Sequence, residues 1–204
     1  MLKNIEKIIG SHKANKFGVK KQSSVLIPLI LHNDSWHLLF EKRALTLNSQ
    51  PGEICFPGGL VEMDECPKEA AIRETCEELN ITENHIRLVG QIDSVMTSFD
   101  MLIHCYVGVL EIVYENIHHS VSEVEELILV PLDYLLSVQP ETYKISSKFD
   151  LDIDFPFEAI PNGKNYNFKN TQYPIVFYNY DSVTIWGLTA RMVFNLVNLI
   201  NGKN

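Results

Sequence analysis

The sequence predicts one α/β or α+β layered domain, because strand candidates alternate with helix candidates and short turns join some neighbouring strands. The chain has 204 residues, of which 46% are hydrophobic, enough to build a sizeable core. The clearest hairpin has strand candidates at 25–31 and 36–41 around a polar turn at 32–35. We place a basic N-terminal arm with a short helix at 1–23 and a single domain, including a C-terminal helix, at 24–204.

The other elements follow from periodicity and from residues that favour helix ends. A helix is predicted from Pro67, a residue favoured at the first helical position, to Leu79. The remaining predictions are a helix at 2–10, strands at 53–56, 86–94 and 102–113, a short helix at 130–136, irregular strands and loops over 139–182, and a helix at 185–200. That last helix is apolar nearly all round, so it either completes the core or forms a homodimer interface.

Charge and cysteine content restrict the function classes. The net charge of −9 argues against nucleic-acid binding. The lysine-rich arm is either solvated or brings a lysine to an anionic substrate. The four cysteines show neither a C-x-x-C pair nor zinc spacing, which is typical of free thiols in a reducing cytoplasm. No run of 18 apolar residues and no signal-peptide pattern occurs, so we expect no membrane partner and a cytoplasmic location.

Three carboxylates share one arc of the predicted helix. Glu74 and Glu78 lie one turn apart, and Glu77 flanks them. Like charges at this spacing, near the C-terminal end of a helix, oppose both one another and the helix dipole. A multivalent cation would remove the conflict, and hard ions such as Mg²⁺ prefer carboxylate oxygens. The alternative is a solvated acidic face.

The spacing around this helix resembles the Nudix box, G-x5-E-x7-R-E-U-x-E-E-x-G-U, where U is aliphatic. The matching residues are Gly59, Glu65, Arg73, Glu74, Glu77, Glu78 and Ile81. Thr75 and Asn80 depart from the pattern, although Asn is well suited to the left-handed position that ends a helix.

The resemblance implies a fold and a set of roles. Nudix proteins have an α/β/α sandwich with a mixed central sheet, in which a loop–helix–loop binds Mg²⁺ or Mn²⁺ that polarises a diphosphate. Glu74 and Glu78 would be direct ligands, with Glu77 a third ligand or one acting through water. The Gly58 carbonyl would also face the metal. Glu65 and Arg73 would be an orienting pair, so that Glu65, Arg73 and Glu77 are counted as catalytic.

The general base is expected outside the box, since several Nudix enzymes use a loop glutamate. The candidates lie in the segment SEVEELILVPL and are Glu123, Glu125 and Glu126, with Glu123 best placed by motif. Each could instead be a solvated loop acid.

The segment before the box resembles the signature of coenzyme A pyrophosphatases, L-L-T-x-R-S-x-x-L-x-x-H-x-G-x-V-x-F-P-G-G. The matching residues are Leu39, Arg43, Leu47, Gly52, Phe56, Pro57, Gly58 and Gly59. Glu41, Ala44 and Gln50 replace Thr, Ser and His. Segments 122–132 and 184–192 also resemble this group. Arg43 is the candidate for binding a substrate phosphate, because a guanidinium can form two parallel hydrogen bonds to phosphate oxygens. Gln50 is a second substrate-binding candidate.

The sequence therefore predicts a Mg²⁺- or Mn²⁺-dependent hydrolase that cleaves coenzyme A (CoA) or a derivative to 3′,5′-ADP and 4′-phosphopantetheine or its acylated form. Two alternatives stay open. One is hydrolysis of another nucleoside diphosphate, such as ADP-ribose, a nucleotide sugar or a dinucleoside polyphosphate. The other is a catalytically silent Nudix domain that senses a nucleotide. For Trp186, core packing is favoured over stacking on a ligand.

Overall fold

A mixed β-sheet forms the centre of the fold. The computed structural model describes residues 2–12, 17–97, 100–147, 150–168 and 171–203. The strands of the sheet are β1 (Lys21–His32), β2 (Ser35–Arg43), β3 (Ile54–Cys55), β4 (Gly58–Leu60), β5 (Ile86–Met96), β6 (Met101–Leu110) and β7 (Val124–Pro131). Strand β1 pairs antiparallel with β2 and parallel with β6, and β5 pairs antiparallel with β6.

The predicted hairpin between β1 and β2 is confirmed. Its two-residue turn has Asn33 at φ 50° and Asp34 at φ 59°, a left-handed geometry that these two residue types tolerate well. The strands pair from Leu29 with Leu38 to His32 with Ser35.

Away from the turn, β1 and β2 separate. The first half of β1 pairs with β4 instead, while the end of β2 pairs with β3 and β7. The segment 54–60 therefore lies between two strands of one sheet. A hydrogen bond from the Leu26 N–H to the Pro57 carbonyl (3.0 Å) helps to hold it there. Gly58 and Gly59 lie in this opening, where Gly58 contacts Glu78 and Gly59 lies against Glu74.

Helix α2 (Pro67–Leu79) covers one face of the sheet and has the predicted bounds. At its start, the Glu69 carboxylate accepts a hydrogen bond from the Cys66 N–H (2.9 Å). At its end, Asn80 adopts the left-handed conformation, with φ 50°. The apolar layer beneath the helix includes Leu26, Ile30, Leu39, Ala71 and Leu79.

The opposite face carries α3 (Leu132–Ser137) and α4 (Gly187–Ile200). Their core includes Ile27, Leu38, Phe40, Ala190, Val193 and Leu196. The sheet is thus sandwiched between helices, in agreement with the predicted α/β/α arrangement. Helix α4 buries only one face, because Phe194, Leu199 and Ile200 on the other side stay partly exposed.

Residues 139–182 are more regular than predicted. They contain β8 (Glu141–Ser147) and β9 (Thr171–Tyr180), which form a second antiparallel sheet with β10 (Val183–Trp186). Residues 141–146 of β8 are exposed, so the strand lacks the alternation by which a half-buried strand is recognised. Strand β7 was also missed, and the short helix after it begins at Leu132 rather than at Val130.

The N-terminal helix α1 (Leu2–Ser11) lies outside the core. None of its residues is buried, and its apolar residues Leu2, Ile5, Ile8 and Ile9 are exposed. No helix among the described residues is long and apolar enough to cross a bilayer.

Candidate active site

Two glycines allow the end of β3 and the start of β4 to pass close to helix α2. Gly58 has φ 154°, and a Cβ there would lie 2.7 Å from the Val25 Cα, so position 58 has no room for a side chain. Its N–H donates a hydrogen bond to Glu78 Oε2 (2.8 Å). A Cβ at Gly59 would overlap the Glu74 carboxylate. Glu74 and Glu78 therefore pack directly against the backbone of the two glycines.

Arg73 connects the acidic residues of the box. Its guanidinium lies 2.9 Å from Glu65, 3.0 Å from Glu74 and 3.1 Å from Glu77, and it donates to the Leu60 carbonyl (3.3 Å). The hydrogen bond from Arg73 lowers the pKa of Glu65. The structure thus brings together Arg73 and Glu65, the pair expected to orient the site, and ties both to β4.

The three helix carboxylates differ in exposure although they share one arc. Glu77 is the most exposed, with 57% of its side chain accessible, whereas Glu74 is at 20% and Glu78 is buried. Burial raises the pKa of Glu74, and the Arg73 guanidinium opposes that rise. Glu74 and Glu78 face the opening in the sheet, and Glu77 lies at its edge.

The environment of Glu78 disfavours its ionised form. Its pKa is raised mainly by burial and further by the Glu74 and Glu123 carboxylates, while the Gly58 N–H and Arg43 oppose the rise. Glu123 lies in the exposed turn before β7, and its charge also raises the pKa of Glu74. Glu126 instead raises the pKa of Tyr114 on the α2 side of the core. Of the three base candidates, the structure places Glu123 beside the helix acids.

A buried acid that the sequence analysis did not select completes this cluster. Glu41, in β2, has 1% of its surface exposed, and its Oε1 atom has no hydrogen-bond partner. Burial raises its pKa well above the usual range, and the adjoining Glu78 carboxylate adds to the rise. The available signal was a charged residue directly after the apolar run Leu38-Leu39-Phe40, at the position where the CoA signature has Thr.

The donor set fits a hard divalent cation by type. Glu41, Glu74, Glu78 and Glu123 supply only oxygen atoms, which are the ligands that Mg²⁺ and Mn²⁺ prefer. One buried oxygen, Glu41 Oε1, lacks a partner. Within the described residues, no group of three or more Asp, Glu, His or Cys side chains is arranged to hold an ion, and Glu74 and Glu77 contact Arg73 instead. The acids therefore lie near one another without forming a complete set of cation ligands.

A cavity of about 650 Å³ opens on the other side of Gly58. Arg43 and Gln50 form its polar end. Arg43 Nε donates to the Ser49 carbonyl (3.2 Å), and Gln50 Nε2 donates to Glu53 (2.9 Å). The apolar lining includes Val25, Ile54, Phe56, Met101, Ile103, Leu188 and Met192. The predicted substrate residues thus share one cavity with Gly58.

Trp186 and Cys55 also line this cavity. Trp186, for which core packing was favoured, is 44% exposed, stacks on Phe177 and lines the cavity. Burial raises the pKa of the Cys55 thiol to about 12, so the thiol is protonated near neutral pH and is a poor nucleophile.

The sandwich, the glycine loop and the acidic helix are the arrangement expected of a hydrolase that acts on a phosphate anhydride. The family model of the NUDIX domain matches residues 20–149, so the chain belongs to the Nudix family and is a Nudix hydrolase. A crystal structure of a MutT/nudix family protein from Enterococcus faecalis has a TM-score of 0.52 at 12% identity. The match covers 99% of this chain and 69% of that one, and it supports the fold alone.

Curated relatives with similar sequences carry several names. Nudix hydrolase 3 of Caenorhabditis elegans is 29% identical over 181 residues, which are 87% of this chain and 72% of the relative. An uncharacterized Nudix hydrolase, NudL of Photorhabdus laumondii, is 29% identical over 88% of this chain and 85% of its own. The mouse peroxisomal coenzyme A diphosphatase NUDT7 is 33% identical over 64% of this chain, and the match spans 52% of that protein.

Proposed function

We propose that this protein is a Mg²⁺- or Mn²⁺-dependent diphosphatase that hydrolyses CoA or a CoA derivative to 3′,5′-ADP and 4′-phosphopantetheine or its acylated form. The observation that carries the proposal is the meeting of two features at Gly58. The acids of α2 lie on one side of this residue, and the cavity with Arg43 lies on the other. The substrate would be a small molecule, and neither nucleic acid nor a membrane is needed as a partner.

The acids would hold the cation, with Glu74 and Glu78 as ligands, Glu77 as a third or water-mediated ligand, and the Gly58 carbonyl beside them. A bound divalent cation neutralises the diphosphate oxygens and lowers the pKa of a coordinated water. Arg73 keeps the acids in position through its contacts with Glu65, Glu74 and Glu77. The residues of the helix therefore prepare the site and are not themselves modified.

The reaction would be direct attack of water on phosphorus. Glu123 would accept a proton from the attacking water, a role supported by its proximity to Glu74 and Glu78. The bridging P–O bond then breaks, and the departing phosphate monoester keeps its oxygen. Arg43 would bind a phosphate of the substrate, and Gln50 would supply amide hydrogen bonds at the same end of the cavity.

The CoA assignment has three supports. The segment 38–59 resembles the CoA pyrophosphatase signature, and the mouse relative bears the name of a CoA diphosphatase. The mostly apolar cavity would also suit a pantetheine or acyl chain better than a second sugar or nucleotide. Gln50, in place of His, is the specific feature that favours a different nucleoside diphosphate.

The four cysteines are free, which fits a reducing compartment such as the proposed cytoplasm.

A product-resolved substrate screen tests this assignment. CoA, acetyl-CoA, oxidised CoA, ADP-ribose, NADH and diadenosine polyphosphates are incubated with Mg²⁺ or Mn²⁺, and the products are identified by mass. We expect a CoA species to have the highest kcat/KM and to release 3′,5′-ADP. A preference of about tenfold or more for ADP-ribose over every CoA species would contradict the CoA assignment. No metal-dependent product from any diphosphate would support the silent sensor instead.

The same assay separates the base candidates. Glu123→Gln is expected to lower kcat by about 10²-fold or more, in the range that general-base catalysis contributes. Glu125→Gln is the matched control, because Glu125 is an exposed acid only two residues away. Equal activities of the two variants would remove Glu123 from this role.

A further inference from the structure

Glu41 is a buried acid to which the proposed mechanism assigns no role. Its exposure is 1%, and within the described residues it takes part in no ion pair with Lys, Arg or His. Its Oε1 atom is buried without a hydrogen-bond partner. Buried carboxylates are ordinarily paired, hydrogen-bonded or bound to a metal, so an acid in this state needs an explanation.

The strand geometry directs Glu41 toward the acidic helix. Side chains alternate along β2, and Leu39 packs in the apolar layer under α2, whereas Leu38 and Phe40 pack on the other face. Glu41 follows Leu39 by two residues and therefore points to the α2 side, where it adjoins Glu78. Glu78 is itself fixed by the Gly58 N–H at 2.8 Å.

Two arginines lie nearby, and within the described residues neither forms an ion pair with Glu41. Arg43 lies close enough to affect Glu41, but its Nε bonds the Ser49 carbonyl at 3.2 Å and its side chain lines the cavity. Arg73 contacts Glu65, Glu74 and Glu77. The Glu41 and Glu78 carboxylates thus meet in a buried place where a shared cation would satisfy both.

From this geometry we propose that Glu41 is a further cation ligand, supplying a carboxylate oxygen to the ion that Glu74 and Glu78 hold. The inference rests on the proposed metal-dependent function and adds to it a ligand from the sheet. A hard cation takes several oxygen ligands, and an acid fixed in a strand is more rigid than one on a loop. The site would then be closed from two sides, by α2 and by β2.

Direct Mn²⁺ binding tests the role of Glu41 without using turnover. Affinity is measured by electron paramagnetic resonance of free Mn²⁺ in the wild type, Glu41→Gln, Glu41→Thr and Glu41→Asp. We expect Gln and Thr to weaken binding by about tenfold or more, the range seen when groups that support a metal site are removed, and Asp to retain part of it. Glu83→Gln, an exposed acid beyond the end of α2, is the control and should bind as the wild type does.

A crystal of the wild-type protein grown with Mn²⁺ keeps the test independent of variant folding. The anomalous peak should lie about 2–2.5 Å from a Glu41 oxygen as well as from Glu74 or Glu78. A peak bound by Glu74 and Glu78 but remote from Glu41 would overturn the inference, as would wild-type affinity in folded Glu41→Gln. If the wild type binds no Mn²⁺ at all, the proposed function fails together with this inference.

Discussion

The carboxylate of Glu74 occupies the space that a side chain at Gly59 would need, so the helix acid and the loop glycine fit together as a pair. In Gly59→Ala the Glu74 carboxylate must swing away, which is sterically feasible because it is the end of a flexible side chain. We expect Mn²⁺ affinity to fall by about tenfold, as for loss of a well-placed ligand, with little loss of stability. Binding and thermal melting measured together check this.

Gly90→Ala is the matched control for Gly59→Ala, because a Cβ at Gly90 in β5 meets nothing within 4 Å. Its Mn²⁺ affinity should be that of the wild type. If Gly59→Ala also binds Mn²⁺ normally, the position of Glu74 against the loop does not matter for the metal.

Removing the charge of either helix acid should abolish most turnover without unfolding the protein. In Glu78→Gln the amide oxygen can still accept the Gly58 N–H bond, so the loop should keep its place. We expect Glu74→Gln and Glu78→Gln each to lower kcat by about 10²-fold or more, while circular dichroism stays unchanged. Glu83→Gln, an exposed acid beyond the helix, is the control; full activity in both site variants would refute their assignment as metal ligands.

Arg73 should not be replaceable by lysine. Its guanidinium holds Glu65, Glu74 and Glu77 at 2.9–3.1 Å, and a single ammonium cannot reproduce that set of contacts. We expect Arg73→Lys to lower kcat by about tenfold or more through misplaced acids. Arg87→Lys is the control, because Arg87 pairs with Glu111 in an exposed bridge at 2.6 Å far from the box. Equal effects of the two changes would show that Arg73 acts only as surface charge.

The buried acids predict a pH dependence of stability in the metal-free protein. The folded-state pKa values of Glu41 and Glu78 are raised above the ordinary 4.5, so the folded state binds more protons than the unfolded state between pH 4.5 and the raised values. The free energy of unfolding contributed by these groups therefore falls as pH rises through that window. Urea unfolding in EDTA should show that Glu78→Gln gains more stability over the wild type at pH 8 than at pH 5. An equal gain at both pH values would contradict the raised pKa of Glu78.

Most of the box could be predicted from local sequence, because its information lies in spacing along one helix. Pro67 and Asn80 mark the helix ends, and the periodicity of Glu74 and Glu78 places both on one arc. The different burial of Glu78 and Glu77 could not be predicted, since it depends on how closely Gly58 and Gly59 approach the helix. That approach is a tertiary property of the separated strands β1 and β2.

The position of Glu41 beside Glu78 could not be predicted from the sequence for a similar reason. A single acid in a strand has no periodicity, and only the folded structure shows that it adjoins Glu78. The regular pairing of β8 with β9 could not be predicted, because the exposed residues of β8 lack alternation. The cavity could not be predicted because its lining comes from distant segments, including Val25, Ile103 and Met192.

Phosphorus-31 NMR of CoA incubated with this protein tests the central claim most directly. With Mg²⁺ or Mn²⁺ removed from the product mixture by EDTA before measurement, we expect the diphosphate resonances to be replaced by two new phosphomonoester resonances. These belong to the 5′-phosphate of 3′,5′-ADP and to 4′-phosphopantetheine, and the 3′-phosphate resonance that CoA already has remains. The same incubation with EDTA present from the start should leave CoA intact. Persistence of the diphosphate resonances with either metal, or equal cleavage without metal, would contradict a metal-dependent CoA diphosphatase.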